Sequence, residues 1–168
     1  MIEMKLVGVR VELPANQPIV LLKECDGTRF LPIWIGAVEA TAIALAMQGV
    51  EPPRPLTHDL IVDILAASDA TIEGVAITDL RDGTFFAEIQ IAVGGHHRTV
   101  SSRPSDAIAI ASRLTDTPLY AAEAVLDTAG IELDDDETED GADNPDPEEE
   151  VRQFREFLDD ISPEDFRG

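Results

Sequence analysis

Two Asp-Gly pairs, Asp26-Gly27 and Asp82-Gly83, each separate two apolar runs with strand-like spacing. A two-residue Asp-Gly linker between such runs is a strong local signal for a β-hairpin, because both turn residues must adopt positive φ. This pattern commits most of residues 1–101 to antiparallel meanders. In the first, Val7, Val9, Val11 and Leu13 alternate onto one predicted face, and residues 19–25 and 28–35 flank Asp26-Gly27. In the second, residues 71–81 and 84–93 flank Asp82-Gly83, with Phe85, Ala87, Ile89, Ile91 and Val93 on one face. Gly94-Gly95 then turns the chain into residues 96–101.

Helices separate and follow the meanders. Residues 37–48 are alanine-rich and free of Gly and Pro. Beyond the breaker Glu51-Pro52-Pro53-Arg54-Pro55, Thr57 is the predicted cap of a second helix that buries Leu60, Ile61, Ile64 and Leu65. Pro104 starts a helix over 105–114, Leu119-Tyr120 reads as a short extended piece, and a last helix over 122–129 stops at Gly130. Meanders with separate helices predict an α+β fold. The stretch Glu39-Ala40-Thr41-Ala42-Ile43-Ala44 aligns with Asp106-Ala107-Ile108-Ala109-Ile110-Ala111. That alignment suggests a duplicated three-strand, two-helix unit, against coincidence between two Ala/Ile-rich helices.

Charge divides the chain differently. The 168 residues hold 12 Lys and Arg against 34 Asp and Glu, a net −22. Residues 132–168 alone carry −14, which leaves −8 on 1–131. We therefore read 1–131 as the folded domain, 132–146 as an acidic disordered linker and 147–168 as a C-terminal amphipathic helix, with Val151, Phe154, Phe157, Leu158 and Ile161 as its stripe. Such a stripe must dock, either on its own domain or on a protein partner. A field this negative repels polyanions, so contact with nucleic acid needs a local basic patch or bound cations.

Several chemistries are excluded. The chain has no phosphate-binding glycine loop, dinucleotide fingerprint or nucleophile elbow, so no organic cofactor is indicated. Cys25 is alone, which rules out an internal disulfide and a cysteine-based zinc site. With no run of eighteen apolar residues and no secretory signal pattern, the expectation is a soluble cytoplasmic protein without a membrane span.

What remains are polar residues at helix starts. Glu39 and Asp106 each sit in an opening turn, where acids also offset the helix dipole. Asp59 and Asp63 share one side of the second helix, as a cation site or a solvated face. Carboxylates drawn together from Glu39, Asp59 and Asp106 would suit Mg²⁺ or Mn²⁺, and such ions activate water against a phosphodiester. His58 is the best general acid or base, by its pKa near neutrality. Ser102 and Arg103, at the start of the Asp106 helix, form the best phosphate site, with Arg54 a further substrate-binding candidate. His96 and His97 point to opposite faces of a strand and are expected to be exposed. Trp34 is expected in the core or an oligomer contact, with base stacking as the alternative.

At these residues the chain resembles the bifunctional nuclease domain family. The resemblance rests on Leu31-Pro32-Ile33-Trp34-Ile35-Gly36 with Glu39-Ala40, Arg54-Pro55-Leu56-Thr57-His58-Asp59-Leu60, Asp82-Gly83-Thr84-Phe85-Phe86-Ala87 and Ser102-Arg103-Pro104-Ser105-Asp106-Ala107. It spans about residues 1–131, and the ending from Phe154 to Phe166 is similar to the tails of actinobacterial members. The resemblance implies a nuclease acting on both DNA and RNA, and a homo-oligomer. Two functions follow as expectations. One is a metal-assisted phosphodiesterase using Glu39, His58, Asp59 and Asp106, with Arg54, Ser102 and Arg103 on the substrate. The other is a non-catalytic homo-oligomeric scaffold that recruits a protein partner through its acidic tail and C-terminal helix.

Overall fold

The computed structural model describes residues 1–12 and 16–132. The segments read as linker beyond Glu132 and as C-terminal helix lie outside the described residues, as does Leu13. Twelve elements follow in the order β1 (Ile2–Glu12), β2 (Gln17–Glu24), β3 (Arg29–Trp34), α1 (Ala37–Met47), α2 (Thr57–Ala67), β4 (Ala70–Arg81), β5 (Thr84–Val93), β6 (His96–Ser102), α3 (Pro104–Ala111), β7 (Leu119–Ala121), α4 (Glu123–Ala129) and β8 (Ile131–Glu132). The fold is α+β. All eight strands form one sheet in the order β6-β5-β4-β7-β1-β2-β3-β8. Every pairing is antiparallel except β4 with β7.

The two meanders run outward from the centre, and β7 joins them. Because β7 is parallel to β4 and antiparallel to β1, the halves are oppositely directed about the sheet centre. They diverge after their first helix, since α1 leads to α2 whereas α3 leads back into the sheet as β7.

The turns carry different chemistry. Asp82 (φ 49°) and Gly83 (φ 76°) make the expected two-residue turn. The Asp26-Gly27 hairpin closes instead through the four residues between Glu24 and Arg29. There the Glu24 carboxylate folds over Gly27, where an added Cβ would lie 2.1 Å from Glu24 Oε2. Glu24 is buried and accepts from the Arg29 backbone N–H (3.1 Å), Nε (3.0 Å) and Nη2 (2.6 Å). Arg29 also pairs with Glu123 and Asp127, which ties the hairpin to α4.

In β1 the expected face of Val7, Val9, Val11 and Leu13 does not hold. A register shift between Leu6 and Gly8 inserts an extra residue and reverses the alternation. Met4 is buried, with Leu6 and Val9 packed against the core, while Val7 and Val11 are exposed.

One core joins Val20, Leu22, Leu31, Ile33, Val75, Ile77, Ala87 and Ile89 of the sheet to Ile43 of α1, Ile108 and Ile110 of α3, and Val125 and Leu126 of α4. α3 is the central helix. It touches α1, α2, β4 and β5, and every residue but Asp106 is buried. Its alanines let the neighbouring helices approach closely, which sets three helix N-termini near one another. One expectation for the outer elements fails. Leu60 and Ile64 of α2 are 47% and 55% exposed, because the helix packs through Ile61 and Val62. Trp34, at the end of β3, is 52% exposed, which removes the core from its alternatives and leaves an oligomer contact or base stacking. No helix among the described residues is long and apolar enough to cross a membrane.

Candidate active site

Three polypeptide turns build the site. Gly36 caps α1 in an extended conformation, and the Glu39 side chain folds back over it. An added Cβ at Gly36 would lie 2.3 Å from Glu39 Oε2, so the glycine makes room for that carboxylate. α2 is capped at Leu56 rather than at Thr57, since Thr57 is already helical and the Leu56 N–H donates to Asp59 Oδ2 at 2.8 Å. α3 starts with Arg103 as its cap, Pro104 in the first turn and Asp106 one turn from Arg103.

Arg103 connects these starts. Its Nε and Nη2 donate to the two Asp106 oxygens at 2.7 and 2.9 Å, a bidentate pair, while Nη1 lies 3.0 Å from Glu39 Oε1. His58 Nε2 approaches Asp106 Oδ1 at 3.3 Å. Glu39, His58, Arg103 and Asp106, from three helix starts, therefore form one hydrogen-bonded cluster. His58 is mostly enclosed, with 12% of its side chain exposed, and Arg103 is open at 66%.

The other candidates are placed differently. Asp59 turns away from the cluster and pairs with Arg113, which also donates through Nη1 to the Ala109 carbonyl at 2.6 Å. Arg54 is exposed and makes no hydrogen bond or ion pair among the described residues. Ser102 lies opposite Ala87, with its Oγ buried and without a hydrogen-bond partner. Asp63 lines a groove of about 570 Å³ with Asp59, Arg113, Leu45, Val50 and Leu56. His96 and His97 are both exposed, and His97 Nδ1 is 2.7 Å from Glu73 Oε2.

Residues 20–134 match the sequence profile of the bifunctional nuclease domain. The chain belongs to the bifunctional nuclease domain family. It is also 52% identical over 166 residues to two uncharacterized proteins of Mycobacterium tuberculosis strains, MT1877 and Rv1829, covering 99% of this chain and 98% of each relative.

In this bifunctional nuclease domain two roles emerge only from the structure. Arg113, just past the end of α3, holds the Ala109 carbonyl, as a basic residue at a helix end is well placed to do. Arg103, a phosphate candidate by sequence, is the bridge between two carboxylates. That bridge bears on a metal ion. The Arg103 guanidinium stands between Glu39 and Asp106, and both Asp59 oxygens are engaged, by Arg113 and the Leu56 N–H. No group of three His, Cys, Asp or Glu among the described residues is arranged to hold a metal. The trio of Glu39, Asp59 and Asp106 does not fit Mg²⁺ or Mn²⁺ in this arrangement.

The same contacts make the domain acid-sensitive. Asp106 is held below its ordinary pKa by hydrogen bonds from Arg103, against burial, with His58 assisting. For Asp59 burial pushes upward, but Arg113 and the Leu56 N–H outweigh it and the pKa falls. Glu24 is lowered by Arg29. A carboxyl with a depressed folded pKa adds stability above its unfolded value and loses it as pH falls through the folded one. The urea midpoint is expected to be flat near neutrality and to drop below about pH 4. Asp106→Asn should flatten that drop, and an unchanged profile would count against these contacts.

Proposed function

We propose that this chain is a nuclease that hydrolyses phosphodiester bonds at the cluster of Glu39, His58, Arg103 and Asp106. The observation that carries this reading is the meeting of a histidine, a bidentate-capable arginine and two carboxylates across three helix starts, in a chain of the bifunctional nuclease domain family. Arg103 is exposed, and three of its N–H groups are taken by Glu39 and Asp106. The other two of the five guanidinium N–H groups remain for a phosphate oxygen. His58 moves the proton, and Asp106 orients it. Glu39 holds Arg103 from the far side. In this reading the partner is DNA or RNA, bound through Arg103 against the negative field of the chain.

Single-stranded RNA and DNA oligonucleotides incubated with the purified protein test it. We expect strand cleavage, with Arg103→Ala lowering kcat/KM by about a hundredfold. Arg103→Lys should recover little, because a lysine cannot span both Asp106 oxygens. Failure of the parent protein to cleave either polymer, with or without divalent metal, would remove the nuclease reading.

One observation favours the scaffold as a second reading. Leu56, Leu60 and Ile64 form an exposed apolar stripe on α2 at helical spacing. A homo-oligomer formed through this stripe would be weakened by Leu60→Asp with Ile64→Asp. Sedimentation velocity should then show a smaller species than the parent, and equal sizes would exclude the stripe as the interface.

A further inference from the structure

We infer that a second copy of this chain covers α2, its own α2 lying antiparallel on the first about a two-fold axis at Leu60, with Arg54 of each copy paired to Asp63 of the other. This rests on the second reading above, an oligomer held through the α2 stripe, and deepens it by naming the occupant, its direction and the charges that fix it. It does not depend on the nuclease reading.

α2 is apolar on two sides. Ile61 and Val62 pack against the core, while Leu56, Leu60 and Ile64 stay open and no residue of the helix is fully buried. A helix apolar on both sides belongs between two layers, and the described residues supply one of them. Residues 1–131 carry a net −8, so two copies repel unless the surfaces that meet are apolar or locally complementary in charge. The α2 surface is both.

The spacing sets the register. Leu56 and Ile64 lie four residues before and four after Leu60, on the same side of the helix. Antiparallel copies centred on Leu60 therefore bring Leu60 against Leu60 of the partner subunit, and Leu56 against Ile64 of the partner subunit. Leu56 also lines the groove of about 570 Å³ with Leu45, Val50 and Val62, so the partner's Ile64 meets a recess rather than a flat wall.

Charge selects the direction. Arg54 precedes α2 and Asp63 lies in its second half; both are exposed and make no hydrogen bond or ion pair among the described residues. The last turn of α2 carries no basic residue, although a cation is favoured at that negative end of the helix dipole. In the antiparallel pair Arg54 of one copy falls beside the last turn of the other, within reach of its Asp63 and its terminal carbonyls. A parallel pair would set arginine beside arginine and leave both helix ends bare. The axis forms each contact twice, as an isologous interface requires. The cover also reaches the cluster, because Leu56 caps α2 two residues before His58 and the partner's Ile64 steadies that turn.

Sedimentation velocity on the full chain and two charge reversals tests this. Both side chains are exposed and unpaired among the described residues, so both variants should fold, with circular dichroism as the check. We expect the parent to sediment as a dimer or a larger assembly. Arg54→Asp and Asp63→Arg, each alone, should raise the dissociation constant by about tenfold or more, since each sets like charges together twice. Mixed with one another, the two variants should recover the parent's association, because every contact across the mixed pair then joins opposite charges. Amide exchange in that mixture should slow in α2, and slowing confined to other elements would overturn the inference. A parent that stays monomeric would overturn both this inference and the oligomer reading. Dissociation by Leu60→Asp with Ile64→Asp, beside a mixture no tighter than its components, would overturn the antiparallel register and leave the stripe as the interface.

Discussion

Replacing His58 by alanine is expected to lower strand cleavage by about 10²–10⁴-fold, the usual contribution of a positioned general base. The fold should survive the change. His58 lies in the first turn of α2, where alanine is a good helix former, and Asp106 keeps its two bonds from Arg103. Circular dichroism and the thermal midpoint are therefore expected to stay close to those of the parent. His97→Ala is the natural control, since His97 is exposed on β6 and outside the cluster. Equal rates for His58→Ala and the parent would exclude His58 as the proton carrier, whatever the substrate.

The largest expected effect on stability lies elsewhere, at the β2–β3 hairpin. Arg29→Met removes every side-chain donor from Glu24, a buried carboxylate that then keeps only the Arg29 backbone N–H. Breaking a largely buried pair from one side leaves a stranded charge, so the urea midpoint is expected to fall. The links from Arg29 to Glu123 and Asp127 vanish as well, so α4 loses its tie to the hairpin. Urea denaturation at neutral pH should show the loss directly. The double change with Glu24→Gln should recover part of it, because a neutral amide at that position no longer strands a charge. A double variant less stable than Arg29→Met alone would show that the carboxylate is not the source of the cost.

The sequence made the meanders legible because alternation and turn residues act over a few positions. It could not place the bulge in β1, where one extra residue near Gly8 exchanges the roles of Val7 and Leu6. Nor could it assign α2 its inward side. Leu60 and Ile64 look as apolar as Ile61, and the packing of α2 on α3 and β4 decides which of them is covered. At the site, the polar residues at helix starts stood out as local signals, and three of the four cluster members sit in first turns. The engagement of Asp59 by Arg113 was not legible, because it joins residues 54 positions apart through the packing of two helices. The bridge by Arg103 was hidden for the same reason, since its link to Glu39 depends on how α1 meets α3.

The three-residue strand β7 holds a further consequence. The first meander is complete by Trp34 and the second by Ser102, yet neither pairs with the other directly. Both wait for Leu119–Ala121 to slot between Ile2–Met4 and Val75–Ile77. During synthesis the two ribbons emerge as separate pieces, and the sheet becomes continuous only when this short late stretch leaves the ribosome and acts as the seam.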